Sequence, residues 1–204
     1  FLGSFIALAI FLFAGIGVLV TGYLYPEIFK PGNAAFTIIL MSIALAMILF
    51  SFSNRQSAIK AWACLLAGHI YILAAILLNA DHINGIETIF YLSGVLPAFL
   101  LGYYCLQKIN TIDRDISLNY FHGYAYEQET TSVLFLLAAL GMLGFPVTAA
   151  FIGVDIFFTY VGSSQVVLIT LMALCFLFVE LASFRILLRI FFGPHKKLYH
   201  PVAF

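Results

Sequence analysis

Apolar residues run along this chain in long unbroken blocks. They show neither the period of 2 of a half-buried strand nor the 3.6 of a surface helix. Blocks of about 20 apolar residues point to helices that cross a bilayer, because a hydrocarbon core of about 30 Å needs that length at ~1.5 Å per residue. Six blocks are expected to span, at about 1–24, 33–53, 58–79, 86–108, 131–162 and 165–192. The polar punctuation is mostly short: "YPEIFKPG" with Pro26, Pro31 and Gly32 as breakers, then "SNRQS", then "NADHING". One polar loop is long, "NTIDRDISLNYFHGYAYEQETTS" at 110–132. Strand alternation is absent, which argues against a transmembrane β-barrel. The expected fold class is therefore all-α, a polytopic membrane helix bundle of about six transmembrane helices in a single membrane domain over 1–204.

Breakers also fall inside the blocks. Pro97 lies within the fourth, where a kink is expected. The fifth block is about 32 residues long, where about 20 would suffice. It contains "GFPVTAAFIGVD" (144–155), and Gly144 with Pro146 divides it into 131–144 and 146–162, so one helix is expected to be discontinuous there. Pro146 has no N–H to donate, which frees a carbonyl in the preceding turn. In lipid such a gap is tolerated only where protein or a water-filled cavity covers it. Broken helices near the midplane recur in ion transporters.

Composition agrees with the pattern. The 204 residues are 64% hydrophobic and 9% charged, against about 25% charged in soluble domains. The formal net charge is zero, so no nucleic-acid partner is expected. Cys64, Cys105 and Cys175 are scattered through apolar blocks and read as small hydrophobes, not a disulfide framework, metal set or iron–sulfur ligand set. His82, His122, His195 and His200 lie in loops and tail, and the last two offer two metal ligands without a third. No nucleophile–base pairing, phosphate loop or dinucleotide fingerprint is visible, so neither a catalytic site nor a cofactor is expected in this chain. The first block lacks a basic n-region and a small-residue cleavage site, so it reads as a span and not as a signal peptide. A start at Phe1 suggests part of a longer chain.

Cations divide unevenly between the two sides that six spans define. One side takes Arg55, Lys60, Lys108, Arg114, Arg185, Arg189, Lys196 and Lys197, and the other takes only Lys30. The positive-inside rule then places both ends of this segment on the cytoplasmic side.

Ionisable residues inside the spans are the candidate chemistry, because charge at that depth costs several kcal/mol unless partnered, roughly 2.5–3.5 on insertion scales. His69 falls close to the midplane of the third span, Glu180 near the middle of the last, and Asp155 in the second half of the fifth. Arg185 follows Glu180 by about one and a half turns. Each also has a plain structural reading. His69 could bond a neighbouring helix, Glu180 and Arg185 could form an ion pair, and Asp155 could be hydrated at the outer interface.

Three segments resemble one family. "AIKAWACLLAGHIY" (58–71) is similar to the segment of antiporter-like proton-pumping subunits that runs from a cytoplasmic basic pair to a central histidine. "GFPVTAAFIGVD" resembles that family's discontinuous helix, and "ELASFRILLRIFFG" (180–193) resembles the ending of its next helix. The family includes the large membrane subunits of respiratory complex I, multisubunit sodium/proton antiporters and the membrane subunits of inorganic-carbon accumulation complexes. The resemblance covers nearly the whole chain and corresponds to the second half of a typical member. It implies that His69 is the central proton relay, in the cytoplasmic (inner) membrane of a bacterium; Glu180 and Asp155 are expected as further stations from their own placement in the spans, Asp155 standing one residue past the family's titrating position. Val154 stands where the broken helix of the family carries a lysine or glutamate, and Tyr91, Val95 and Phe99 stand at its two histidines and lysine. The "FIG-x-D" wording and the "FFGPHKK" tail look most like the inorganic-carbon branch. That branch implies other subunits as partners, among them a large soluble zinc protein resembling a carbonic anhydrase, and bicarbonate hydration coupled to a cation gradient. The alternatives are a proton-pumping subunit of an NADH–quinone oxidoreductase or a sodium/proton antiporter, and a non-conducting scaffold. A scaffold would dock its partner through the loop bearing Tyr120, Phe121, Tyr124 and Tyr126 among Asp113, Asp115, Glu127 and Glu129.

Overall fold

The computed structural model describes residues 2–25, 34–79, 85–146 and 148–194. The breakers Pro26, Pro31 and Gly32, the cations Lys30, Lys196 and Lys197, and His82, His195 and His200 lie outside the described residues. Seven α-helices follow in order: α1 (Leu2–Leu24), α2 (Ala34–Ser53), α3 (Ala58–Asn79), α4 (Gly85–Asp113), α5 (Glu129–Met142), α6 (Ala149–Thr159) and α7 (Val166–Ile190). One 3-10 turn, Tyr124–Tyr126, interrupts the α4–α5 connection, and no strand occurs among the described residues. The chain is an all-helical bundle, and α1, α2, α3, α4 and α7 are long and apolar enough to cross a membrane. α5 and α6 are shorter apolar helices that together occupy the stretch expected as the fifth block.

α3 is the hub, with α1, α2, α4 and α7 packed on it. Its small residues Ala61, Ala67, Gly68, Ala74 and Ala75 let neighbouring helices approach closely, as small residues do between helices in lipid. At one end Trp62 is fully buried and donates its Nε1–H to the Phe99 carbonyl at 3.0 Å. Further along, the Tyr71 hydroxyl bonds the Phe11 carbonyl of α1 at 2.9 Å.

α4 runs five residues past its expected end at 108. Thr111 Oγ1 bonds back to the Lys108 carbonyl at 2.7 Å, and the Lys108 ammonium donates to Thr131 Oγ1 on α5 at 3.0 Å. The first bond satisfies the Thr111 hydroxyl within the helix and Asp113 accepts from the Tyr124 hydroxyl, so the polarity that reads as loop does not end it. Pro97 sits within the continuous helix on its exposed face.

The connection from α4 to α5 is tied down across one end of the bundle. Leu118 N–H donates to the Arg55 carbonyl at 2.7 Å and Ala58 N–H to the Ile116 carbonyl at 3.1 Å. His122 N–H donates to the Arg189 carbonyl at 2.9 Å and Ala125 N–H to that of Phe191 at 2.8 Å. All six described Lys and Arg residues, Arg55, Lys60, Lys108, Arg114, Arg185 and Arg189, belong to this end.

α4 and α6 run antiparallel along a tight seam. The Tyr160 hydroxyl donates to the Glu87 carboxylate, one turn deeper Phe157 packs on Tyr91 with ring centroids 4.5 Å apart, and deeper still Gly94 faces Ala150. A Cβ on Gly94 would stand 2.2 Å from the Ala150 nitrogen, and one on Gly153 would stand 2.7 Å from the Tyr91 Cα. Glycine at both positions is what lets two backbones meet here.

Candidate functional site: a buried histidine beside a helix break

His69 is the twelfth residue of the 22-residue α3. Eleven residues separate it from the helix start and ten from its end, about 16 Å either way at ~1.5 Å per residue. The side chain is 1% exposed. Its Nδ1 lies 2.6 Å from the hydroxyl of Tyr91, which is itself fully buried on α4. Phe157 backs the tyrosine, and Phe176 of α7 lies 6.5 Å from the imidazole between ring centroids. Nε2 is buried with no hydrogen-bond partner among the described residues.

The break between α5 and α6 turns on Gly144 and Pro146. Leu143 and Gly144 still close onto the helix, through N–H bonds to the carbonyls of Ala139 (3.0 Å) and Gly141 (3.3 Å). Gly144 then turns left-handed at φ +64°, and Phe145 N–H reaches five residues back to Leu140 at 3.1 Å. Thr148 is extended (φ −107°, ψ 150°), and α6 starts after it. Met142 ends α5, and the residue four places on, whose N–H its carbonyl would accept in an unbroken helix, is Pro146. Proline has no N–H, so that carbonyl is left to other donors. The Met142 backbone lies beside His69. An imidazole nitrogen without a partner and a main-chain carbonyl without its helical donor thus meet in the interior.

The other sequence-expected residues are placed elsewhere. Asp155 and Glu180 are exposed on the outer surfaces of α6 and α7 and do not converge on His69. Asp155 is turned away because the break is faced by its neighbour. Val154 packs toward Gly144, where a Cβ would stand 3.1 Å from Val154 Cγ2, and one residue further rotates the side chain by about 100°. Arg185 does not pair with Glu180. Five helical residues separate them by about 140° around α7. The guanidinium instead donates to the Phe52 carbonyl at 3.2 Å and lies 5.5 Å from the Phe52 ring centroid. Gly144 and Pro146 stand at the discontinuity, where they were expected.

Sequence reasoning missed three participants. Tyr91 registered there only as a missing histidine, although its hydroxyl is the partner of His69. Met142 carries no side-chain signal at all; the spacing Met142–Pro146 was its only mark. Glu87 was passed over because it opens a span, yet it lies four residues from Tyr91 on the same face of α4. At this end the amides of Asn79 and Gln165 bond reciprocally at 3.0 and 2.9 Å, and Asn79 also donates to the Tyr160 carbonyl at 3.1 Å. The end of α3 is thereby clamped to the α6–α7 turn.

Cys64, Cys105 and Cys175 are buried free thiols. Among the described residues no group of three or more His, Cys, Asp or Glu side chains is placed to hold a metal ion. No protein-family model, no curated protein and no solved structure matches the chain.

Proposed function

We propose that the chain is a proton-conducting membrane subunit of an energy-coupling complex in a bacterial cytoplasmic membrane, with the cation-rich end cytoplasmic. The observation that carries this reading is the buried His69, whose unpartnered Nε2 lies at a helix break beside the carbonyl that Pro146 leaves without its helical donor. Histidine is the side chain that takes and gives a proton near neutral pH, with an ordinary pKa of about 6.5. In the resting tautomer the Tyr91 hydroxyl donates to Nδ1 and Nε2 carries the proton toward the break. A second proton makes both nitrogens donors, with a hydroxyl oxygen on one side and a main-chain carbonyl on the other to accept from them. An ionisable group at this depth is a functional hypothesis by default, and a broken helix supplies backbone groups that a continuous one withholds.

The resemblance to antiporter-like subunits supports the same role for His69. Within that class we favour the inorganic-carbon branch, in which a soluble zinc partner hydrates carbon dioxide and the membrane subunit couples this to a cation gradient. The respiratory and sodium/proton antiporter branches share the proton role and differ in the partner. A non-conducting scaffold is the second reading. It is favoured by the apolar Val95, Phe99 and Val154 at positions the family keeps ionisable, and by a connecting loop that exposes Tyr120, Phe121 and Tyr126 at the cationic end.

Reconstitution of the intact subunit with its complex in liposomes tests the choice. Proton flux under an imposed potential is expected in the native protein and is abolished in His69→Ala, with folding and assembly retained. Equal flux in the two removes His69 from the mechanism. Absent flux with intact partner binding establishes the scaffold.

A further inference from the structure

We infer that Glu87 is a second proton-bearing group of this bundle, one helical turn from Tyr91 toward the end opposite the cations, and that Tyr160 holds its carboxylate for the transfer. The inference rests on the proton role proposed for His69.

Position comes first. Glu87 and Tyr91 are four residues apart on α4, which stacks them on one face about 6 Å apart along the axis. Tyr91 is bonded to His69, so Glu87 is the nearest carboxylate on that face beyond the tyrosine. The second observation is the partner of each. Phe157 of α6 and Tyr160, which caps its C-terminus, also lie about a turn apart, and they meet Tyr91 and Glu87 pairwise: ring on ring at the deeper level, hydroxyl on carboxylate at the outer level. The third observation is rigidity. The Tyr160 carbonyl is bonded by Asn79, ten residues beyond His69 on α3. α3, α4 and α6, which carry the histidine, the carboxylate and its hydroxyl partner, are therefore joined at the level of Glu87.

Burial completes the case. Tyr91 is fully enclosed, whereas Glu87 is half-buried in the first turn of its helix, where α4 meets the α6–α7 turn. A carboxylate so placed is reached from the interior on one side and from the end of the bundle on the other. A purely structural Glu87 would need only its bond to Tyr160. That bond leaves the second carboxylate oxygen available, since a carboxylate has about four acceptor positions.

The transfer balances as follows. His69, protonated at both nitrogens, gives its Nδ1 proton to the Tyr91 oxygen while the hydroxyl proton of Tyr91 leaves through one bridging water to the Glu87 carboxylate. His69 ends neutral with its Nε2 proton, Tyr91 ends as a phenol, and Glu87 ends as a carboxylic acid. Both protons move together, so Tyr91 never stands as an anion. Loss of the proton from Glu87 to the aqueous side and rotation of the Tyr91 hydroxyl restore the neutral resting state, and His69 is recharged by one proton taken up from the side of the break after the imidazole turns over.

Two measurements on the intact subunit in its complex test this, with wild type, Glu87→Gln, Tyr160→Phe and His69→Ala reconstituted in liposomes. The first is proton flux, read by an entrapped pH-sensitive dye under a potassium diffusion potential. We expect flux to fall at least tenfold in Glu87→Gln, severalfold in Tyr160→Phe and completely in His69→Ala. The second is infrared difference spectroscopy on acidification. The band of a protonated carboxyl is expected in wild type and in His69→Ala, and is lost in Glu87→Gln. Flux abolished by His69→Ala but unchanged in Glu87→Gln overturns the assignment of Glu87 and leaves His69 standing. Wild-type flux that His69→Ala does not reduce, or no flux in any of the four, overturns both. A Glu87→Gln variant that loses flux and also loses assembly or thermal stability assigns the residue to structure alone and overturns the proton role.

Discussion

At the scale of single residues, adjacent side chains here have opposite surroundings, and rotation about a helix axis decides which one is available. Val154 faces the break and Asp155 faces outward, although they are neighbours. Asp155→Asn is accordingly expected to leave flux within about twofold of wild type. Tyr91→Phe is expected to lower it at least tenfold, because it leaves His69 Nδ1 buried without its only described partner, a desolvation cost of about 1–3 kcal/mol. Flux measured on the two variants side by side checks the contrast, and equal losses would sink it. His69 was legible from sequence because an ionisable residue in an apolar block stands out by type alone. Its partners were not, since Tyr91 registered only as a missing histidine and the Met142 contribution is a backbone carbonyl. The Glu180–Arg185 pair was the opposite case. Nearness in sequence suggested it, and the periodicity of α7 separates it by about 140°.

Among the elements, the break is the part that sequence and structure share most closely. At Gly144 and Pro146 a left-handed turn and a missing N–H fall within three residues and end the helix, whereas Pro97 near Gly94 leaves α4 continuous. The end of α4 was hidden because Thr111 and Lys108 bond within and beside the helix, which no composition rule reports. Two substitutions separate the roles of the break. Gly144→Ala places a Cβ at φ +64° and 3.1 Å from Val154 Cγ2, and costs about 1–2 kcal/mol for the left-handed backbone alone. Its expected signature is a lower midpoint in thermal unfolding with flux retained in the folded fraction. Pro146→Ala supplies an N–H four residues after Met142 and lets the helix recapture that carbonyl. An acceptor that the doubly protonated imidazole would use, worth about 1–1.5 kcal/mol, is then withdrawn, and flux is expected to fall about tenfold with unfolding unchanged or later. Full flux in Pro146→Ala would remove the carbonyl from the mechanism.

For the molecule as a whole, the α4–α5 connection fastens the cationic end, and one tyrosine gives that fastening a pH limit. Tyr124 is 1% exposed and donates to the Asp113 carboxylate; burial first, and then the Asp113 charge and hydrogen bond, raise its pKa above the ordinary 10.0. The folded chain therefore keeps this proton where the unfolded chain has lost it. The stabilisation is complete below about pH 10 and declines as pH rises beyond it, because the unfolded state then binds fewer protons. Limited proteolysis of residues 114–128 should accelerate above that pH in wild type. In Tyr124→Phe it should be faster at neutral pH and show no such onset; an unchanged onset would assign it to another group. At the opposite end the seam between α4 and α6 has a different consequence. Backbones meet at Gly94 and Gly153 with no room for a single methyl, and the amides of Asn79 and Gln165 tie α3 to the α6–α7 turn beside them, contacts that oppose sliding of the helices. The proposed relay asks only for small motions at the centre, one hydroxyl torsion on Tyr91 and one turn of the imidazole of His69. Throughput would then be paced by the reorientation of a few atoms, as in a hydrogen-bonded wire, and not by the slower exchange of whole-helix conformations that carriers of larger solutes require.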